Sequence, residues 1–219
     1  MTSMTDILQT LPVKVDMLIL KDRLAEYKNP RKKVFDLVKE GSLFQIRRGH
    51  YINLKATDYS HTNAENLANI VYYPSYISLE WALQYYGLIS ERVHTVTSVT
   101  TRRSSQFSTP IAHFSYEHIN KNRYPVGYVA QGAADSCYLI ATPEKAIVDF
   151  VNLRTDKIPW RSDSAIATFL SDDLRLNLSE LLRLLEPGNV RLLFSLYNRN
   201  SKEARLLRWL LTKKVEIHG

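Results

Sequence analysis

The chain has 219 residues, a formal net charge of +7, 45% apolar residues and one cysteine. That length suits one large domain or two small ones, with apolar content ordinary for a folded core. A lone cysteine excludes an internal disulfide and fits a reducing, cytoplasmic setting. No run approaches the roughly 18 apolar residues of a membrane span, and no signal-peptide pattern opens the chain.

The charge is uneven. Residues 1–55 carry 11 Lys and Arg against 6 Asp and Glu, whereas residues 56–219 carry 18 against 16. A basic excess confined to one quarter points to a polyanion partner at that end.

The first expected helix covers about 3–10 and ends before Pro12. The next covers 18–27, with Ile19, Leu20, Leu24 and Tyr27 as its apolar stripe. Asn29 then stands as an N-cap and Pro30 as a first helical residue, where its missing N–H costs nothing. The helix they open runs over 30–40 and stops at Gly41, a natural left-handed terminator. Val34, Leu37 and Val38 form its core stripe. Lys32 and Asp36 point away from that stripe, with Lys33 and Lys39 flanking and Arg31 near the border.

Two strand-like runs follow, 43–46 and 51–54, with Arg48-Gly49 between them. Glycine supplies the positive φ of a tight hairpin loop. Arg47, Arg48 and His50 then sit at the tip, where phosphate or the minor groove is in reach. Helix, helix and basic hairpin in this order are the plan of a winged helix-turn-helix, expected over 1–57.

A polar, turn-rich stretch at 56–62 separates this unit from a second domain over 58–219. There a helix is expected over 63–71, then one capped by Ser78 with Leu79, Ala82, Leu83 and Tyr86 on one face, ending at Gly87. From Val93 the period becomes two, through Thr101. Further strands are expected at 111–118, 126–131 and 137–141. Thr142 and Pro143 open a helix to about 153, and the remainder reads as helical. Asn177 and Asn200 begin sequences resembling capping boxes; the helix opened at 177 is expected to halt at Pro187-Gly188. The final helix carries Leu206, Leu207, Leu210 and Leu211 on one face. The class is α+β: an N-terminal winged helix-turn-helix, then a mixed domain that is helical from about 142.

Catalytic patterns are missing. Seven glycines form no phosphate loop, and the six histidines, His50, His61, His94, His113, His118 and His218, have no metal-ligand spacing. Cys137 falls in an apolar strand and reads as an inert core residue. Lys145 and Asp149, beside Glu144, read as an i, i+4 surface pair. No enzyme activity, cofactor or metal is expected. Arg102 and Arg103 lie in a loop between strands, open to an acidic partner or phosphate. The aromatic set Tyr72, Tyr73, Tyr76, Trp81, Tyr85 and Tyr86 reads as core and interdomain packing.

At this point a family resemblance emerges. SLFQIRRGHYINL resembles the Arg-Gly-x-Tyr wing of the AbiEi family, antitoxins of abortive-infection (type IV) toxin–antitoxin operons. PSYISLEWALQYYGLISE, VHTVTSVTTRRSSQF, FSYEHI and IATPEKAIVDF follow in the order of that family's antitoxin domain. The match covers about 18–153; the helical C-terminus beyond it carries no family motif. The resemblance implies a bifunctional protein that represses its own operon at promoter inverted repeats and counters a cognate nucleotidyltransferase-like toxin. It makes Asn29, Arg31, Lys32, Lys33, Arg47, Arg48 and His50 the DNA-contacting candidates. Ser78, Arg102, Arg103, Glu144 and Lys145 are the antitoxin-domain candidates, as contacts or as structure. The implied protein is cytoplasmic and nucleoid-associated, has no membrane partner, and acts as a monomer or weak dimer. The alternatives are a winged-helix protein-interaction module, a stand-alone transcriptional regulator and an RNA-binding regulator.

Overall fold

The computed structural model describes residues 3–57, 63–133, 136–155 and 162–218. The expected boundary around 58 and His61 lie outside the described residues.

The N-terminal unit contains α1 (Met4–Gln9), β1 (Lys14–Asp16), α2 (Met17–Arg23), α3 (Pro30–Lys39), β2 (Leu43–Arg47) and β3 (His50–Asn53). Its sheet has the order β1-β3-β2, antiparallel throughout. The sequence reading missed β1, which is only three residues long and too short for a visible period. α2 is shorter than expected. Asp16 caps it, accepting from Leu18 N and Ile19 N, and the helix ends at Arg23. Of the expected stripe, Leu20 and Leu24 are buried, but Ile19 and Tyr27 are exposed.

Successive residues of a strand face opposite ways, and β3 uses both faces. Tyr51 joins a small core with Leu8, Leu20, Leu24, Val34, Leu37 and Leu43. Ile52 joins the large core of the body. The next residue, Asn53, is fully buried; its Nδ2 donates to Leu8 O at 2.6 Å and Leu11 O at 3.2 Å, fastening the end of α1 to the sheet.

The body holds α4 (Ala64–Val71), β4 (Ser75–Ile77), α5 (Leu79–Tyr85), β5 (Thr95–Thr100), β6 (Ser105–Ser108), β7 (His113–His118), β8 (Tyr128–Gln131), β9 (Tyr138–Ala141) and α6 (Pro143–Arg154). Then come α7 (Asp163–Thr168), a π-helical turn (Phe169–Asp173), α8 (Leu178–Leu184), α9 (Pro187–Phe194) and α10 (Lys202–His218). The six-stranded sheet runs β6-β7-β5-β4-β9-β8, with β4–β9 and β5–β7 parallel. The class is mixed α and β, with two sheets.

Several local expectations are corrected. The helix capped by Asn177 does end ahead of Pro187, at Leu184, but the chain does not leave helix there: Pro187 starts α9 from the first position, where proline is tolerated. α10 is capped by Ser201, whose Oγ accepts from Ala204 N, rather than by Asn200. Cys137 stands exposed one residue ahead of β9 and is not core. Ser78 makes no cap bond for α5; its hydroxyl points elsewhere.

The largest correction concerns α6. Lys145 and Asp149 are not a surface pair: both side chains have zero exposure, and their charged atoms lie 2.7 Å apart. α6 is covered by α5, α9, α10 and β9, so even its polar residues are internal. Lys145 Nζ also donates to Arg123 O at 3.0 Å. Asp149 Oδ2 accepts from Tyr76 OH at 3.0 Å and Ser78 Oγ at 2.9 Å. Burial, then the Asp149 charge and hydrogen bond, push the Tyr76 hydroxyl well above its ordinary pKa, so it stays a donor.

Removing one partner of such a pair strands the other charge in the interior, at about 3–5 kcal/mol. Lys145→Met is therefore expected to lower the urea-unfolding free energy by about that much. Adding Asp149→Leu to Lys145→Met should recover part of the loss, which a double-mutant cycle on the two positions measures.

Candidate nucleic-acid interface

The charged groups of the N-terminal unit fall into two sets. The first is the start of α3. Asn29 is its N-cap, and its Oδ1 accepts from Lys32 N at 3.0 Å, so this oxygen already serves the helix. Pro30 follows, and Gly41 ends the segment with φ +74°. Val34 and Leu37 are buried and fix which face looks outward. Arg31 and Lys32 are exposed, and Lys33 is half-buried. Lys32 Nζ pairs with Asp36 Oδ2 at 3.0 Å across one turn. Lys33 Nζ sits 5.8 Å from the ring centre of Tyr27. Tyr27, Lys28, Asn29, Lys32, Lys33 and Asp36 line an open groove of about 500 Å³.

The second set is the hairpin tip. β2 and β3 pair with Arg47 opposite His50, leaving Arg48-Gly49 as the turn. Gly49 has φ +83°, which a side chain at this position would resist. A bulge between Gln45 and Arg47 twists the end of the hairpin. Arg47 and Arg48 are exposed, and His50 is half-buried. Arg47 Nη2 donates toward His50 Nε2 across 3.2 Å. Gly49 O accepts from Met17 N at 2.8 Å, so the tip is tied to the start of α2.

His50 is held below its ordinary pKa, first by desolvation and then by the Arg47 charge, with Asp16 opposing. Its neutral form is the one that can accept from Arg47.

The remaining sequence candidates are elsewhere. Ser78 and Lys145 come together through Asp149, and none of the three is exposed. Glu144 is buried beside them in sequence but faces α9, where its Oε1 accepts from Glu186 N. These three are parts of the interior and are closed to a partner. Arg102 and Arg103 are exposed in the β5–β6 connection. Arg102 is braced: its Nη1 donates to Tyr73 O at 3.1 Å and its guanidinium lies 4.8 Å from the Tyr72 ring centre. Tyr72 OH donates to Arg103 O at 3.1 Å, fixing the loop. The aromatic set thus divides: Tyr76 is core, Tyr72 braces the loop, and Tyr73 and Tyr85 are exposed.

The sequence reading passed over Phe35. One residue on from the buried Val34, it is turned about 100° away from it and is 63% exposed. That signal was available from helical spacing alone. Among the described residues, no group of three or more His, Cys, Asp or Glu side chains could hold a metal ion. Among them also, no helix is long and apolar enough to cross a membrane.

No family model matches the chain, and no curated protein matches it either.

The His50 geometry yields a titration prediction. The fold favours neutral imidazole, so acidification protonates the unfolded chain first. The stability contribution is full above the unfolded pKa of 6.5 and is lost as pH falls through the lowered folded value. In an NMR titration His50 is expected to have its midpoint below 6.5. Arg47→Ala should move that midpoint upward, because it removes a repelling charge.

Proposed function

We propose that the chain is a DNA-binding autorepressor and antitoxin: an N-terminal winged helix-turn-helix on promoter inverted repeats, and a C-terminal domain that counters a nucleotidyltransferase-like toxin. The observation that carries the DNA-binding half is the tight hairpin with Arg47, Arg48 and His50 at its tip, directly following two packed helices. β1 supports this reading, because it closes the hairpin into a three-stranded sheet and gives the tip a rigid base. In a winged helix, α3 is the element that enters the major groove, and the hairpin contacts backbone or minor groove. The exposed outer face of α3 and its Lys32 and Lys33 suit that role.

The antitoxin half rests on the resemblance of the segments between 74 and 150 to the AbiEi family. Within those segments the exposed Arg102 and Arg103 are the side chains available to an acidic surface on the toxin. Ser78, Glu144 and Lys145 serve that domain by holding it together. The protein would work in the cytoplasm at the nucleoid, as a monomer or weak dimer on paired half-sites.

A mobility-shift titration on the fragment upstream of the gene, against a scrambled fragment of equal length, tests the first half. Preference for the upstream fragment at physiological salt is expected. Arg47→Ala and Arg48→Ala should weaken binding to both fragments, and each lost phosphate contact should flatten the log–log salt slope by about 0.9. An unchanged slope in both variants would remove the hairpin from the interface. For the second half, co-expression should restore growth to cells making the toxin encoded beside this gene; no rescue by the intact protein would refute it.

A further inference from the structure

Phe35 has no place in a merely solvated helix face. It is 63% exposed, while the other face of α3 buries Val34 and Leu37 completely enough to form a core. Residues four apart on a helix stack into one ridge. Along the ridge through Phe35 lie Arg31 before it and Lys39 after it, both exposed. An aromatic ring is thus set between two cations. Arg31 and Lys39 are eight residues apart, about 12 Å along the axis. The major groove is wide enough to admit an α-helix, with phosphates on both rims within reach of long basic side chains and apolar thymine methyl groups on its floor.

We propose that Phe35 is a sequence-reading residue that packs on thymine 5-methyl groups in the major groove, with Arg31 and Lys39 held at the phosphate rims. This rests on the DNA-binding reading above and adds to it the base recognised and the side chain that recognises it. The partner fits by complementarity: cations for the phosphates, and an apolar ring for the only apolar group the groove presents. Lys32, in contrast, is partly neutralised by Asp36 on the neighbouring ridge, which leaves the Arg31–Phe35–Lys39 ridge as the stronger docking line.

The test uses the intact protein and two forms of the same upstream fragment, one made with thymine and one with uracil throughout. The two differ only in the methyl groups. Native protein is expected to bind the thymine fragment about three- to tenfold more tightly, the effect of one or two buried methyl groups. Phe35→Ala should bind both fragments alike, at the level of native protein on uracil DNA, with an unchanged thermal midpoint because Phe35 is outside the core. Upstream preference in native protein with no loss on uracil DNA would overturn the assignment while leaving the DNA-binding reading intact. So would thymine discrimination that persists in Phe35→Ala. Absence of any upstream preference in the native protein would overturn the DNA-binding reading and this inference together, and would assign the exposed ring to a protein partner.

Discussion

The body of the protein is assembled around one buried ion pair. Lys145 and Asp149 are removed from water completely, which costs several kcal/mol per ion before any contact is counted. The arrangement is tolerable only because the hydrogen-bonding needs of both groups are met. Asp149 receives Lys145, Tyr76 and Ser78; Lys145 gives to Asp149 and Arg123 O. The partners from outside α6 come from two distant parts of the chain. Tyr76 and Ser78 bring the central strand β4 and the start of α5, and Arg123 brings the crossing before β8. The pair therefore fixes the distance and angle between the sheet and α6. Gly127 is part of the same constraint: a Cβ there would lie 2.9 Å from Lys145 Cβ, and its φ of +83° already excludes most side chains.

The surroundings of the pair are aromatic, which lowers the local dielectric and strengthens each contact. Tyr76 stacks on Tyr128 with ring centres 4.8 Å apart, and Tyr124 packs against both. Arg123 covers Tyr197 at 4.4 Å and donates to Asn152 Oδ1. The C-terminal helices are thus joined to the sheet through the same neighbourhood, which explains why a stretch without recognisable motifs is still an integral part of the core. α8, α9 and α10 close over α6 with Leu181, Val190, Leu193, Leu206, Leu207 and Leu210.

Elements with strong local signals were legible in the sequence. Asn29-Pro30 and Gly41 bracket α3, Thr142-Pro143 opens α6, and Arg48-Gly49 makes the turn, because caps, prolines and glycines act within a few residues. The burial of Lys145 and Asp149 was not legible. An i, i+4 cation–anion pair reads the same on a wet face as in a core, and Tyr76 and Ser78 lie 73 and 71 residues from Asp149. β4 and β1 were hidden for another reason. Three-residue strands have no period to detect, and β4 is buried on both faces by long-range neighbours. α9 was lost because Pro187-Gly188 reads as a stop when only the preceding helix is considered, whereas proline equally suits a beginning.

The same division between local and long-range information governs the candidate interface. Charge and turn chemistry mark Arg47, Arg48 and His50 from the sequence, yet only the β2–β3 register brings Arg47 and His50 into hydrogen-bonding distance and ties Gly49 to α2. That coupling matters physically. A basic tip on a free loop would lose conformational entropy on meeting a polyanion, whereas a tip anchored through backbone bonds to β1, β3 and α2 has already been ordered by folding. Positive charge alone gives affinity without selectivity. The N-terminal unit pairs its charge with a rigid frame and with an exposed Phe35 on the outer face of α3, and on the proposed reading those two features would supply the selectivity that charge alone does not.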